Sequence, residues 1–317
     1  MRVVGQNAVR QGDERGRVWA GRALLLGLAA TATIASACAP GTLGSGSEAG
    51  PAPGQQPHLH APEARALHSY ATRLQSAYTA RVAASVRWRL RRVPLTAPPP
   101  PARKPRITTR DGFEVDGHRN LNLPPVFTTV PTRHKVVFLT IDDGAEKDPE
   151  FLRMMRELRV PYTAFLSDYL IKEDYGYFRR MRANGVTLNN HTLHHPALRG
   201  LPYDRQKREI CGMQEVMRER YGTRPTVFRP PFGSYDKTTL LVAKSCGIKY
   251  VPLWSEEVFV DHWDYREWDR DLHPGDIVLS HFRGREHWKG TMPDMIRRFL
   301  DKVTAKGYAV ARLEDYL

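Results

Sequence analysis

Residues 136–144 read Val-Val-Phe-Leu-Thr-Ile-Asp-Asp-Gly, and this stretch decides the fold class. Six apolar or β-branched residues end at two carboxylates and a glycine, which predicts a buried strand that stops at a turn. Similar runs alternate with helical patterns along the rest of the chain. The predicted strands cover 162–166, 186–188, 226–228, 248–254, 276–280 and 308–311, and the predicted helices 149–158, around 178–181, 203–220, 236–246 and 293–306. This alternation indicates an α/β fold with a mostly parallel sheet or a (β/α) barrel.

Six side chains that could bind metal, transfer protons or orient a carboxylate lie at or just after the ends of these predicted strands. They are Asp142, Asp143, His191, His195, Arg229 and His281. In a (β/α) barrel the carboxyl ends of the strands form the active-site face, so a barrel would gather these side chains into one pocket. Residues 134–317 number 184, which is short for eight full units. We therefore predict an irregular (β/α) barrel with fewer than eight full units.

Asp143, His191 and His195 offer one carboxylate and two imidazoles, the donor set that a hydrolytic divalent metal such as zinc requires. The four-residue spacing of the histidines predicts that both rings lie on one side of a helical turn. One carboxylate of the Asp142–Asp143 pair can bind metal while the other accepts a proton from water. Each feature alone has an ordinary explanation, an acidic turn or a surface histidine pair. Their common position at strand ends favours a metal site.

Two further side chains complete a hydrolytic set. His281 can act as a general acid, and its alternative is a core or surface histidine. Arg229 can orient a carboxylate through a bidentate contact, and its alternative is a solvated arginine. The residue types therefore predict metal-assisted hydrolysis.

Residues 134–317 resemble the polysaccharide deacetylase family, also called carbohydrate esterase family 4 or the NodB homology domain. Four ordered segments carry the resemblance: Thr140-Ile141-Asp142-Asp143-Gly144, His191-Thr192-Leu193-His194-His195, Arg229-Pro230-Pro231-Phe232-Gly233 and Leu279-Ser280-His281. Ile141 and Phe232 stand where the family usually has phenylalanine and tyrosine. The resemblance implies a hydrolase that removes N-acetyl groups from peptidoglycan or a chitin-like N-acetylglucosamine glycan. An O-deacetylase of acetyl-xylan and a non-catalytic glycan-binding lipoprotein are the alternatives.

The resemblance also implies a role for each residue. The metal ligands would be Asp143, His191 and His195, and the metal zinc, or else cobalt. Asp142 would be the general base that acts on a metal-activated water, with Arg229 orienting it. His281 would protonate the leaving amine. The backbone N–H of Phe232 would stabilise the oxyanion together with the metal.

One family motif is altered in this chain. The family usually has an Asp-Trp pair shortly after the residue that matches Trp254, and its aspartate contacts the acid histidine. No such pair follows Trp254 at the usual spacing. Asp261 and Asp264 are the predicted carboxylate partners of His281, and Trp268-Asp269, which has the reverse order, is a weaker candidate.

Residues 1–37 predict a secretory signal peptide. Five arginines precede the short apolar stretch 23–30, and small residues follow it. Ala35-Ser36-Ala37-Cys38 fits ordinary signal-peptidase cleavage and also resembles a lipobox, in which Cys38 would be lipidated. Residues 38–61, rich in Gly, Pro, Ser and Ala, predict a flexible linker. We expect a lipoprotein on the extracellular side of the cell membrane, or a secreted protein.

The net charge of +14 is unevenly distributed. Residues 1–37 carry +3, residues 38–105 carry +7 and residues 106–317, the predicted catalytic domain, carry +4. A nucleic-acid partner is a poor fit because the excess lies outside the predicted catalytic domain. A basic tether at an anionic membrane or wall polymer fits better. The 41% hydrophobic and 26% charged residues exclude a wholly disordered chain, and a multi-span membrane protein is excluded because no apolar run reaches about 18 residues.

Residues 62–105 predict a basic amphipathic helix followed by a Pro-rich linker. Apolar residues recur every three or four positions: Leu67, Tyr70, Leu74, Tyr78, Val82, Val86 and Leu90. The basic segment 62–92 could lie on a membrane or wall surface. It could instead pack on the main domain with a solvated arginine face, and we favour this packed arrangement. Cys211 and Cys246 allow either a disulfide or two free thiols.

Overall fold

The computed structural model describes residues 61–317, with side chains from residue 66 onward. The predicted signal peptide, the lipidation of Cys38 and nearly all of the predicted linker lie outside the described residues and stay predictions. Within the described part, no helix combines the length and apolarity of a membrane span.

Helices and short strands alternate from residue 126 to the C-terminus. The helices are α1 Ala61–Arg87, α2 Pro149–Leu158, α3 Asp168–Ile171, α4 Tyr175–Ala183, α5 Tyr203–Tyr221, α6 Lys237–Ser245 and α7 Met292–Ala305. The strands are β1 Val126–Phe127, β2 Val136–Asp143, β3 Thr163–Leu166, β4 Thr187–Asn190, β5 Val251–Pro252, β6 Glu256–Val258, β7 Trp263–Tyr265, β8 Ile277–His281 and β9 Ala309–Val310. The hairpin of β6 and β7 was not expected from the sequence.

The longest strand, β2, lies at the centre of a seven-stranded sheet. The strand order is β4-β3-β2-β8-β6-β7, and β9 also pairs with β2. All of these pairings are parallel except that of β6 with β7. Asp142 lies beside Phe165 of β3 and beside His281 of β8. The carboxyl ends of β2, β3, β4 and β8 therefore meet at one edge.

The predicted α/β class is confirmed, whereas the barrel stays a prediction. β1 and β5 form a separate parallel pair. Single bridges, rather than ladders, connect this pair and the large sheet: Asn190–Phe228, Val227–Tyr250 and Thr129–Asp276. Prolines interrupt the pairing here, because Pro225, Pro230 and Pro252 lack the N–H that a ladder requires.

The apolar run of β2 is explained by burial on both faces. Val137, Leu139 and Ile141 belong to the largest hydrophobic cluster, which also contains the buried face of α2. Val136 and Phe138 belong to a second cluster on the other side of the strand. A strand covered on both faces has no polar alternation, which is why this stretch reads as a continuous apolar run.

The helix predicted near residues 62–92 is present as α1, but its predicted apolar stripe is mostly exposed. Leu67, Tyr70, Leu74 and Tyr78 are each more than half exposed, and Val86 is 74% exposed. The C-terminal turn packs on the main domain instead, where Trp88 is buried and donates from Nε1 to Glu157 at 2.8 Å. Arg81 is buried and donates to the carbonyl of Pro94. The interpretation of a packed helix is therefore right for its C-terminal end and wrong for the stripe.

Cys211 and Cys246 form a disulfide, with their Cα atoms 5.1 Å apart. The bond joins the middle of α5 to the residue that follows α6. Of the two alternatives open from the sequence, the disulfide is confirmed and the pair of free thiols is wrong.

Candidate active site

The end of β2 places two adjacent carboxylates in the same site. In a regular strand, successive side chains point to opposite faces. Asp143 has φ 81°, which breaks this alternation, and both aspartates come within 3.8 Å of Nε2 of His191. The next residue must be glycine, because Gly144 has φ 94° and a Cβ there would lie 2.5 Å from Cγ2 of Ile171.

His191 and His195 lie in a loop after β4, so the prediction of a helical turn is wrong. Two residues of this loop have a left-handed backbone, Thr192 with φ 73° and His195 with φ 57°. Short side chains hold it: Oδ1 of Asn190 accepts from the N–H of Thr192 at 2.9 Å, and Oγ1 of Thr192 accepts from the N–H of His195 at 3.0 Å. The loop brings the two imidazole centroids to 4.8 Å from each other.

Asp143, His191 and His195 fit a divalent metal. One ligand atom from each lies within 4.8 Å of the other two. Oδ1 of Asp143 is buried and accepts no hydrogen bond of normal geometry, although Nε2 of His191 and Nε2 of His195 lie 3.6 and 3.2 Å away. Nδ1 of His191 donates to the carbonyl of Arg229 at 2.7 Å, so in the neutral ring Nε2 has a free lone pair. Buried acceptors that face one another are stabilised by a cation between them.

The ionisation of these ligands suits metal binding. Burial by itself would raise the pKa of Asp143, but contact with His195 and the charges of His191 and His281 lower this pKa well below its ordinary value. Burial lowers the pKa of His191, which favours the neutral ring that a metal ligand requires.

Arg229 holds Asp142 in place. Its side chain is fully buried, and Nη1 donates to Oδ1 of Asp142 at 2.8 Å and to Oγ1 of Thr140 at 2.9 Å. The other nitrogens donate to backbone carbonyls, Nε to Pro252 at 2.9 Å and Nη2 to Leu253 at 3.1 Å. With every nitrogen engaged, the guanidinium fixes one oxygen of Asp142 and leaves Oδ2 facing the site.

The carboxylate partner of His281 is Glu257, and the prediction of Asp261 or Asp264 is wrong. Nδ1 of His281 lies 3.1 Å from Oε1 of Glu257. Asp261 and Asp264 flank the exposed ring of His262 instead, at 2.7 and 4.0 Å.

Strand register explains why Glu257 reaches His281. Glu257 is paired with Leu279 of β8, two residues before His281, and residues two apart share a face of a strand. The sequence signal that could have identified Glu257 is its position, three residues after Trp254. Burial by itself would lower the pKa of His281, but the hydrogen bond with Glu257 and the nearby aspartates raise this pKa above its ordinary value.

Sequence reasoning also missed Arg283. Its Nη2 lies 2.6 Å from Oδ2 of Asp143, the carboxylate oxygen that does not face the histidines. Arg283 therefore orients Asp143 so that Oδ1 is presented to His191 and His195.

Phe232 lies at the rim of the site. It has φ 60°, its side chain is 67% exposed, and its ring packs edge-on against His195 with centroids 4.6 Å apart. A left-handed backbone is costly for an aromatic residue, and strain of this kind is common at functional sites. The oxyanion role of its N–H stays a prediction.

Comparison with known proteins identifies the family. A family model described as polysaccharide deacetylase matches residues 129–251, which contain the first three motifs. An uncharacterised protein of Streptomyces coelicolor is 44% identical over 204 residues, which cover 64% of this chain and 81% of that protein. The chain belongs to the polysaccharide deacetylase family. This membership, together with relatives that are named as deacetylases, confirms the prediction of a hydrolase.

Two further matches support the assignment to the polysaccharide deacetylases. The peptidoglycan-N-acetylmuramic acid deacetylase PdaA of Bacillus subtilis is 26% identical over 198 residues, covering 59% of this chain and 73% of that one. A solved structure of a family 4 carbohydrate esterase from Bacillus anthracis is 27% identical with a TM-score of 0.50, covering 60% of this chain and 86% of that chain.

Proposed function

We propose that this polysaccharide deacetylase removes N-acetyl groups from a cell-surface glycan, either peptidoglycan or a chitin-like N-acetylglucosamine polymer. The observation that carries the proposal is the pairing of the Asp143, His191 and His195 donor set with a separately held base, Asp142, and a separately held acid, His281. This is the set of groups that hydrolysis of an amide requires.

The first step uses Asp142 as the base. A divalent metal held by Asp143, His191 and His195, zinc or else cobalt, would supply an activated water and polarise the acetyl carbonyl. Oδ1 of Asp142 is engaged by Arg229, so Oδ2 is the oxygen that accepts the proton of the attacking water. The backbone N–H of Phe232 would stabilise the oxyanion.

The second step uses His281 as the acid. Glu257 holds Nδ1, which leaves Nε2 to donate a proton to the leaving amine. The raised pKa of His281 favours the protonated ring near neutral pH. Proton donation at this point prevents the expulsion of an unstable amide anion and completes the reaction.

The choice of a cell-wall glycan is supported by the similarity to PdaA, which is named for N-acetylmuramic acid in peptidoglycan. The same residues could hydrolyse an O-acetyl ester such as acetyl-xylan. A glycan-binding protein without turnover is disfavoured because the six predicted metal-binding and catalytic residues of the family motifs are all present.

Acetate release from the full chain tests the proposal. Peptidoglycan, N-acetylglucosamine oligomers and acetyl-xylan are offered after chelation and after zinc is added back. Zinc-dependent release from either N-acetylated glycan supports the proposal, and Asp142→Asn should lower kcat by roughly 100- to 10,000-fold with zinc content unchanged. Release from acetyl-xylan alone would establish the esterase, and zinc binding without release from any substrate would favour the binding protein.

We also propose that the protein is exported and held at the cell surface. The Cys211–Cys246 disulfide supports an oxidising compartment. The exposed apolar residues of α1, together with exposed arginines such as Arg73 and Arg87, support contact with an anionic membrane or wall. Cell fractionation of the full chain against Cys38→Ala tests lipidation: release of the variant from the membrane supports it, and an unchanged membrane fraction contradicts it.

A further inference from the structure

A second group of potential metal ligands lies between the start of β6 and the loop that precedes β8. It consists of Glu256 at the start of β6, His273 in the β7–β8 loop, and Asp276 just before β8. One ligand atom from each lies within 4.8 Å of the other two. Asp276 precedes His281 by five residues, roughly 16 Å along an extended strand. This group is therefore distinct from the site built around Asp143.

Glu256 is the feature that calls for a ligand. Its side chain is 1% exposed, and both carboxylate oxygens lack a hydrogen-bond partner. It forms no salt bridge with any residue between 66 and 317. The neighbouring cation Lys302 lies over the rings of Trp263 and Tyr265 and donates to the hydroxyl of Tyr265 instead. A carboxylate buried without a partner is strongly destabilising unless a cation or a proton joins it.

His273 is arranged as a metal ligand. Its Nε2 lies 3.0 Å from Oδ2 of Asp269, and because a carboxylate only accepts, Nε2 carries the proton. In the neutral ring Nδ1 then has a free lone pair, and it lies 3.4 Å from Oδ2 of Asp276. A histidine that donates one N–H to a carboxylate and turns its other nitrogen towards acidic groups is the common arrangement at protein metal sites.

Three side-chain acceptors thus converge, and two of them are buried carboxylates. Asp276 accepts from the backbone N–H of His273 at 2.5 Å, so Glu256 is the carboxylate of the group that lacks a donor. We propose that Glu256, His273 and Asp276 bind a second divalent cation, with zinc as the best match to one imidazole and two carboxylates. The ion would fasten the β7–β8 loop to β6. Since neighbouring residues of a strand face opposite sides, the same strand presents Glu257 to His281, so the second ion would brace the strand that carries the partner of the acid.

The competing explanation is a proton. Burial and the adjacent Asp276 raise the pKa of Glu256 to about 10, so this group takes up a proton when no cation is present. The two explanations differ in what zinc does to the protein. A metal site gains stability when zinc is added, whereas a protonated carboxyl does not respond to zinc.

The test isolates the second site in the full chain. His191→Ala combined with His195→Ala removes the ligands near Asp143, and the chelated protein is titrated with zinc by calorimetry and by thermal unfolding. We expect one zinc per chain and a rise in Tm. Adding His273→Ala should weaken zinc binding by more than the ~100-fold that loss of a supporting residue costs.

Two further variants sharpen the result. His262→Ala is the matched control, because His262 is also flanked by two aspartates but is exposed, and it should leave zinc binding unchanged. Glu256→Gln keeps the shape of the side chain and should abolish the zinc-dependent rise in Tm.

The unmodified chain gives an independent readout if the double variant does not fold. Elemental analysis should find two zinc ions per chain, and one in Glu256→Gln. The proposal is overturned if the double variant binds no zinc, if its zinc binding is insensitive to His273→Ala, or if Glu256→Gln leaves the stoichiometry unchanged. None of these experiments measures deacetylation, so failure of the second-site proposal would leave the proposed function untouched.

Discussion

At the scale of single residues, the site depends on which oxygen or nitrogen of each side chain is already occupied. Arg229 occupies Oδ1 of Asp142, and Arg283 occupies Oδ2 of Asp143. Glu257 occupies Nδ1 of His281. In each case the remaining atom faces the site, so under the proposed function these neighbours would set the role of each catalytic group.

Glu257→Gln should change the pH dependence of the reaction. His281 is competent as an acid while it is protonated, and its raised pKa preserves this form until the pH rises through that value. Removing the charge of Glu257 lowers this pKa, so we expect the alkaline limb of the kcat profile to move to lower pH by about one unit or more. Asp261→Asn is the control and should leave the profile unchanged. An unmoved limb in Glu257→Gln would show that another carboxylate governs His281.

Arg283→Ala should weaken metal binding and spare the fold. Without its partner, Asp143 can turn Oδ1 away from the histidines, and loss of a supporting residue of this kind costs about 10- to 100-fold in metal affinity. Competition with a zinc chelator measures the change. Arg285→Ala, which removes an exposed arginine two residues away, should bind zinc as tightly as the parent chain. Equal affinities in both variants would contradict the positioning role of Arg283.

At the scale of secondary-structure elements, the strand ends carry the function. β2 ends at Asp143, whose φ is 81°, and β8 ends at His281. β4 leads into a loop in which two residues have a left-handed backbone. The regular parts are parallel strands buried in the core. Among the described residues, eight non-glycine residues have a positive φ, and four of them, Asp143, Thr192, His195 and Phe232, lie in the site, where strain is expected.

Gly144→Ala should be markedly destabilising, and Gly185→Ala separates its causes. Both glycines have φ near 90°, so both substitutions place alanine in an unfavourable backbone region. A Cβ at Gly144 would also meet Ile171 at 2.5 Å, whereas a Cβ at Gly185 meets nothing within 4 Å. We expect Gly144→Ala to lower the free energy of unfolding by about 1–3 kcal/mol more than Gly185→Ala. Urea denaturation measures both, and equal losses would rule out the steric contribution.

Local pattern was sufficient for most elements but not for the hairpin of β6 and β7. The segment 255–258 reads Ser-Glu-Glu-Val, which lacks the apolar run that marks a buried strand. The segment forms a strand because it pairs with the edge of β8. Its two glutamates also find partners on opposite faces of the strand, Glu256 beside Asp276 and Glu257 beside His281. Tertiary contacts therefore override a weak local preference.

At the scale of the whole molecule, the Cys211–Cys246 disulfide connects two helices that flank the third motif, and it closes a loop of 35 residues. A bond of this span restricts the unfolded chain by about 3–4 kcal/mol in the chain-entropy view.

Removing the disulfide should lower stability without abolishing the site. We expect Cys211→Ala with Cys246→Ala to lower the free energy of unfolding by about 2–4 kcal/mol. Dithiothreitol should have the same effect on the parent chain and none on the double variant. Because neither cysteine belongs to the group of Asp143, His191 and His195, zinc affinity of the folded protein should be unchanged. Identical stability of the variant and parent would contradict this role for the bond.

The sequence by itself determined the α/β class, the positions of most strands and helices, and the six residues that the structure brings together. These features are local: an apolar run, a helical period and a motif are all read within a few residues. Only the tertiary structure decided that Glu257 rather than Asp261 or Asp264 contacts His281, that Arg283 holds Asp143, and that the histidine pair lies in a loop. Such contacts join residues as far as 140 positions apart, and they depend on strand register and backbone angles that no local pattern encodes.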